Sequence, residues 1–298
     1  MSTQIVKPAW HVDGWSGNYV DDDGVKWFVH EDAGWFEPVE DRLFSADKPA
    51  DDGIYSSPSF DAARVITLNG WCCAPDAITA DRSRNQFNAL LKRGHLFQLL
   101  VEEPVVDKTA LVKRAGGRAV MQTPREFTWQ LILTAPDARK YSAVLHSKST
   151  KLAQDAPGGI QWDGPAGGAG VQWNGPAGST GLQYQAGVGE NGVMQLENSG
   201  TADTPIVFTV AGPVTDPAII RTDTGDTIQW IGSVPAGASL QIDTGTGAVL
   251  LNGGNQRPLL TAADFFSIPG ESAIDVSFQS PDPSPTAELT AVWADAWH

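Results

Sequence analysis

The chain has 298 residues, with 31 Gly, 20 Pro and a formal net charge of -15. That length predicts two domains, each able to bury its own core. The acidity excludes a nucleic-acid groove, which needs clustered Lys and Arg, and no apolar run reaches the roughly 20 residues that cross a bilayer.

The first residues, MSTQIVKPAW, hold no apolar stretch of the kind that opens a secretory signal, so none is expected. Residues 1–24 read as an extended arm carrying Trp10 and Trp15. Val25–Val29 is a strand, and Glu31-Asp32-Ala33-Gly34 a turn into Trp35-Phe36. Glu37–Pro58 reads as a long polar loop, of the length that is usually functional or disordered. Acidic runs fall at Asp21–Asp23, Glu37–Asp41 and Asp51-Asp52.

Ala63–Leu68 is a short strand closed by an Asn69-Gly70 turn. A helix follows over Asp81–Arg93. Thr79 or Asp81 caps it, and Gly94 stops it. Its stripe of Ser83, Phe87, Leu90 and Leu91 faces inward. His95–Val101 is the next strand, then a strand pair around a Gly116-Gly117 turn. Glu126–Thr134 alternates, with Phe127, Trp129, Leu131 and Leu133 on one side.

The only cysteines, Cys72 and Cys73, are neighbours, which rules out ordinary disulfide geometry between them. They read as small buried apolar residues in a chain that folds under reducing conditions. The histidines (11, 30, 95, 146 and 298) show no ligand spacing, so neither a metal nor another cofactor is expected.

Ala143–Ala156 reads as a polar link. The composition then shifts to GIQW, GVQW and GLQY at 11-residue spacing, with Asp-Gly-Pro and Asn-Gly-Pro after the first two. This is a short internal repeat of turn-punctuated strands, each carrying one aromatic. Trp162, Trp173 and Tyr184 are the candidate contacts to a glycan or a protein partner.

From Gly192 onward, nine short strands alternate with turn signals, the signature of a β-sandwich. Ile206, Phe208 and Val210 give one inward face, and Ile274, Val276 and Phe278 another. Asp-Thr-Gly at Asp223 and Asp243 suggests an aspartic protease, but both copies sit where a hairpin turn is needed. The G-x-G-x-x-G at 187–192 leads into a strand, so no helix N-terminus can hold a pyrophosphate. No Ser-His-Asp set is legible, and no catalytic residue is assigned.

Three stretches together resemble the distal tail protein (Dit) family of long-tailed phages. They are FDAARVITLNG, ADRSRNQFNALLKRG and FTWQLILTAPDARKYS. The second half repeats the likeness in ENSGTADTPIVFTVAGPVTDPAI, IQWIGSVPAGASLQIDTGTGAVLLNGGN and FFSIPGESAIDVSF. The 11-residue repeat and the acidic N-terminal arm are not part of that pattern. The expected fold is mainly β: an N-terminal sandwich or barrel-like ring domain with one helix (1–150), a Gly-rich repeat (151–190) and a galectin-like β-sandwich (191–298).

The resemblance implies a structural virion protein without catalysis. It would form a ring, commonly a hexamer, at the distal end of the tail. That ring would join the tail tube protein to the tail-tip hub and to receptor-binding parts. It implies assembly in the host cytoplasm and residence at the tail tip, with DNA passing through unbound. A channel lined by copies of so acidic a chain is expected to have a net negative wall. The alternative is a carbohydrate-binding adhesin that contacts the host surface.

Overall fold

The computed structural model describes residues 3–4, 8–42, 45–56, 58–91, 94–153, 192–282 and 286–298. The chain divides into two units. The first holds Met1–Leu145, Ser199–Asp203 and Ala294–His298, and the second His146–Asn198 and Thr204–Trp293.

The first unit begins with β1 (Thr3–Gln4), β2 (Ala9–Val12), β3 (Trp15–Gly17), β4 (Tyr19–Val20) and β5 (Lys26–Ala33). Four short strands follow: β6 (Asp41–Arg42), β7 (Ser45–Asp47), β8 (Ile54–Ser56) and β9 (Phe60–Asp61). Then come β10 (Arg64–Cys73), α1 (Ala77–Ala89), β11 (Phe97–Glu102), β12 (Lys108–Thr123), β13 (Glu126–Ala135) and β14 (Lys140–Ser142). The main sheet runs β1-β4-β5-β10-β13-β12-β11-β2-β3. β12 serves both halves of it. Lys108–Val101 and Val112–Phe97 are partners at the β11 end, and Lys113 onward pairs with β13. The sheet therefore turns back on itself into a nearly closed, barrel-like layer pair.

One core fills that space. It joins Trp10 and Val12 of β2, Leu99 and Val101 of β11, Ile66 and Leu68 of β10, and Phe127 to Leu133 of β13. Trp15 meets Trp129 edge-on at 5.1 Å, and Trp27 stacks on Phe87 at 5.6 Å. Each such fully buried side chain contributes about 1.5–3 kcal/mol of burial, with further gain from ring geometry.

Two glycine pairs that read as turns lie inside strands. Asn69-Gly70 is in the middle of β10, which continues to Cys73. A Cβ on Gly70 would lie 2.0 Å from the Phe28 carbonyl oxygen and 2.2 Å from Trp129. The glycine makes room for an indole, and a bulge against β5 sits at that step. Gly116-Gly117 lies within β12, at a bulge against β13. The reversal between these two strands comes later, after Thr123.

The helix also starts earlier than its spacing predicts. Asp76 is the N-cap, accepting the Ile78 and Thr79 N–H groups, so neither Thr79 nor Asp81 is needed. It ends at Ala89 rather than Arg93. Leu91 takes the left-handed conformation at φ 55, and the Arg114 guanidinium donates to the Phe87, Asn88 and Leu90 carbonyls. A half-buried cation on the neighbouring strand replaces the glycine stop. Ser83, Phe87, Leu90 and Leu91 are buried as the stripe predicts.

The second unit begins with β15 (His146–Lys151), where a polar link was expected. It continues with β16 (Val193–Asn198), β17 (Val207–Ala211), β18 (Val214–Thr215), β19 (Ala218–Arg221), β20 (Thr227–Trp230) and β21 (Ser233–Val234). Next are β22 (Ser239–Asp243), β23 (Ala248–Leu251), β24 (Gly254–Asn255), β25 (Leu260–Ala263), β26 (Ser272–Gln279) and β27 (Glu288–Trp293). Two sheets result, β15-β27-β17-β22-β23-β24 and β16-β26-β19-β20-β25. Ile206, Phe208 and Val210 meet Ile274, Val276 and Phe278 in one aliphatic-rich core. This is the expected sandwich. One strand is shifted: Leu260–Ala263 is paired, whereas Phe265–Ile268 holds only a bridge from Ile268 to Thr204. The chain then adds β28 (Ala296–Trp297) to β14 in the first unit.

Candidate assembly interface

The most unusual interior group of the first unit is Arg64, the first residue of β10, only 1% exposed. Its Nη1 donates to the carbonyls of Gly34, Trp35 and Glu37, and its Nε to that of Ala138. Lys140, also buried, donates from Nζ to the same Trp35 carbonyl at 3.1 Å. Trp35 itself is sealed in, with its Nε1 donating to Glu103, whose other oxygen accepts from Lys108. Burial, helped by the nearby Arg64 and Lys108 charges, lowers the Lys140 pKa to about 8. This cluster pins the backbone of residues 34–37, where β5 ends.

From that clamp the chain runs out into a finger. The expected polar loop is a nested hairpin: Asp41 and Arg42 pair with Asp61 and Phe60, and Ser45–Asp47 with Ile54–Ser56. Neither ladder joins another sheet. Two- and three-residue strands cannot show a period of two, so the sequence gives no sign of them. The finger leaves Ile54, Tyr55 and Phe60 more than half exposed. It is also strongly acidic. Residues 37–61 hold seven carboxylates against Arg42 and Lys48. Asp51 and Asp52, at the tip, are exposed. By contrast Asp21 is spent within its own turn, accepting from the Asp23 and Val25 N–H groups and Trp27 Nε1.

The opposite side of the same sheet has the reverse charge. In the order β5-β10-β13-β12, the finger joins β5 to β10, and β12 lies two strands away. From 108 to 125 the chain carries Lys108, Lys113, Arg114, Arg118 and Arg125 and no acid. Lys113 and Arg118 are exposed, as are Leu111 and Val120. Among the described residues, no strand pairs with the side of β12 away from β13 beyond Val112. An unpaired edge of this length is a template for another chain. In the sequence only the acidic runs were picked out; these cations are a signal passed over, and their position at an edge has no local sign. On the sheet face turned away from α1, Phe28 and Trp71 stack at 4.3 Å, and Trp71 is 39% exposed.

The other sequence motifs resolve as structure. Asp223 sits in the turn after β19, and Asp243 ends β22, its side chain accepting from the Gly245 and Thr246 N–H groups of the turn that follows. Asp223 is held by the Arg221 guanidinium, which keeps its carboxyl below the usual range. Gly192 leads straight into β16. Cys72 is buried, with its thiol pKa pushed up, and Cys73 is half-buried. His95 is exposed and precedes its strand, which begins at Phe97. A Ser-His-acid chain that the sequence hid does exist: His11 Nδ1 meets Ser16 Oγ at 2.9 Å, and Nε2 meets Glu102 at 3.0 Å. Ser16 lies inside a paired strand, directly opposite His11. The chain ties β2, β3 and β11 together. Trp162, Trp173 and Tyr184, with the repeat that carries them, lie outside the described residues.

Comparisons with known proteins agree with this architecture. Residues 199–297 match the family described as siphovirus-type tail component, C-terminal domain. The crystal structure of the phage SPP1 Dit protein (gp 19.1) has the same fold over nearly its whole length. Its TM-score is 0.65 at 14% identity, covering 97% of this chain and 99% of that one. That protein is described as a paradigm of the hub adsorption apparatus in phages infecting Gram-positive hosts. Chains of the phage P2 baseplate in its activated conformation, with Ca and with Sr, each give a TM-score of 0.51. Identity there is 10%, over 96% of this chain and 98% of the other. A sequence search among curated proteins finds no match. The fold is thus that of a siphophage tail component. More particularly, it is the fold of a distal tail protein, and residues 199–297, which hold most of the second unit, match the tail-component C-terminal domain, so the resemblance seen in the sequence holds.

Proposed function

We propose that the chain is a structural part of the tail tip of a long-tailed phage. Copies form a closed ring, a hexamer, at the distal end of the tail. The ring joins the tail tube to the tail-tip hub and to receptor-binding parts, and it performs no catalysis. The observation that carries this reading is the fold shared with SPP1 Dit over the whole chain, together with the family match of residues 199–297. The first unit supports it physically. Its sheet has an acidic finger on one side and a basic open edge on the other, which suits a head-to-tail interface, and only a head-to-tail interface closes into rings of more than two.

Negative-stain imaging and mass photometry of the purified chain test it. Closed rings of one size are expected. A chain that stays monomeric at tens of micromolar overturns the reading. A ring structure at side-chain resolution tests the wall charge: a lumen lined mainly by Lys and Arg overturns the expectation of a net negative channel.

A further inference from the structure

We infer that the finger of one copy docks on the β12 edge of the next copy in the ring. The inference rests on the proposed self-assembly and names the surfaces that perform it. Four observations lead to it. The finger is two ladders with no third strand, and an isolated two-stranded ribbon is marginal in water. Its exposed Ile54, Tyr55 and Phe60 have no cover among the described residues. The edge of β12 from Lys113 to Thr123 has unpaired backbone among the described residues, with exposed Val120 along it. Finally, the two surfaces carry opposite charge: seven carboxylates and two cations over 37–61, against five cations and no acid over 108–125.

A second copy is the occupant that satisfies all four at once. The chain is acidic overall, so a basic, acid-free edge is the exception on its surface. The surface that complements it in charge, apolar content and strand character is this chain's own finger. Finger and edge are separate surfaces of one sheet, two strands apart in its order, so the finger of one copy can meet the edge of the next while its own edge stays open to a third. The contact repeats in one direction. Opposite charge sets the direction and speeds the encounter, and the apolar residues with strand pairing hold the contact.

Two charge-reversed full-length chains test this. One carries Asp51→Lys and Asp52→Lys, giving a basic finger tip and a basic edge. The other carries Lys113→Glu and Arg118→Glu, giving an acidic finger and carboxylates at the exposed edge positions 113 and 118. All four positions are exposed, and circular dichroism checks that each variant folds. Each alone is expected to self-associate about tenfold more weakly than the unaltered chain, or less. Mixed in equal amounts, they are expected to assemble again, because each finger now meets an edge of opposite sign. A variant that alone forms rings at the same concentration as the unaltered chain, or a mixture that forms none, overturns the finger-edge contact while leaving the ring itself standing. An unaltered chain that forms no ring overturns the functional reading instead.

Discussion

Five tryptophans, Trp10, Trp15, Trp27, Trp35 and Trp129, are buried in the first unit, against Trp230 and Trp293 in the second. The second unit fills its core mainly with Ile, Val, Leu and Phe on alternating strand positions. These two ways of filling a core give glycine different jobs. In the second unit a glycine can serve purely as a bend: Gly225 lies between β19 and β20 at φ 80, with nothing within 4 Å of where a Cβ would be. Among indoles the chain must come closer, and glycine moves into the strands. Gly70 lies under Trp129, and Gly17 packs against Trp15. A glycine beside a large aromatic is therefore a space, and one beside Asp or Thr at a strand end is a bend.

Substitutions sharpen the contrast. Gly70→Ala places a methyl group against backbone and an indole that cannot withdraw. It is expected to cost about 3 kcal/mol or more, read as a loss of thermal stability with a changed tryptophan near-ultraviolet signal. A near-neutral result would break the distinction.

Lys140→Met probes the clamp behind the finger. The Lys140 pKa is depressed in the folded chain to about 8 from 10.5. Between those values the unfolded chain binds more protons than the folded one, so stability rises with pH across about 8 to 10.5. Below pH 8 both states hold the proton, and the cost of burying the charge is constant. The difference between wild type and Lys140→Met is expected to grow in favour of the wild type by about 2 kcal/mol across that window. Denaturant titrations at pH 7.5 and 10 measure it, and a pH-independent difference would mean the ammonium is not desolvated.

The smallest effect falls in the second unit. Gly225→Ala meets no neighbour and costs only the left-handed backbone, about 1 kcal/mol. A loss as large as that of Gly70→Ala would show that turn geometry, not room for side chains, governs both units.

The same contrast explains what could be read from the sequence. The sandwich strands were legible because alternation and turn residues agree there, and both Asp-Thr-Gly triplets were correctly taken as hairpins. In the first unit, Asn69-Gly70 and Gly116-Gly117 misled, since nothing local says that an indole 59 residues away lies over Gly70. The helix stripe was right and its caps were wrong, because Arg114, on another strand, does what a terminal glycine usually does. The finger escaped notice because its ladders are too short for any periodicity. His11, Ser16 and Glu102 are brought together only by the pairing of β2 with β11.

The small strand Ala296–Trp297 bears on synthesis. It pairs with Lys140 and Tyr141, and the Trp297 ring lies 4.9 Å from the Lys108 ammonium. A ribosome delivers residues in order, so the amino-terminal unit waits for a piece emerging more than 150 positions behind Leu145. Its sheet is completed only after the whole sandwich has been translated. A chain cut short before Ala296 therefore leaves β14 without one of its two neighbours.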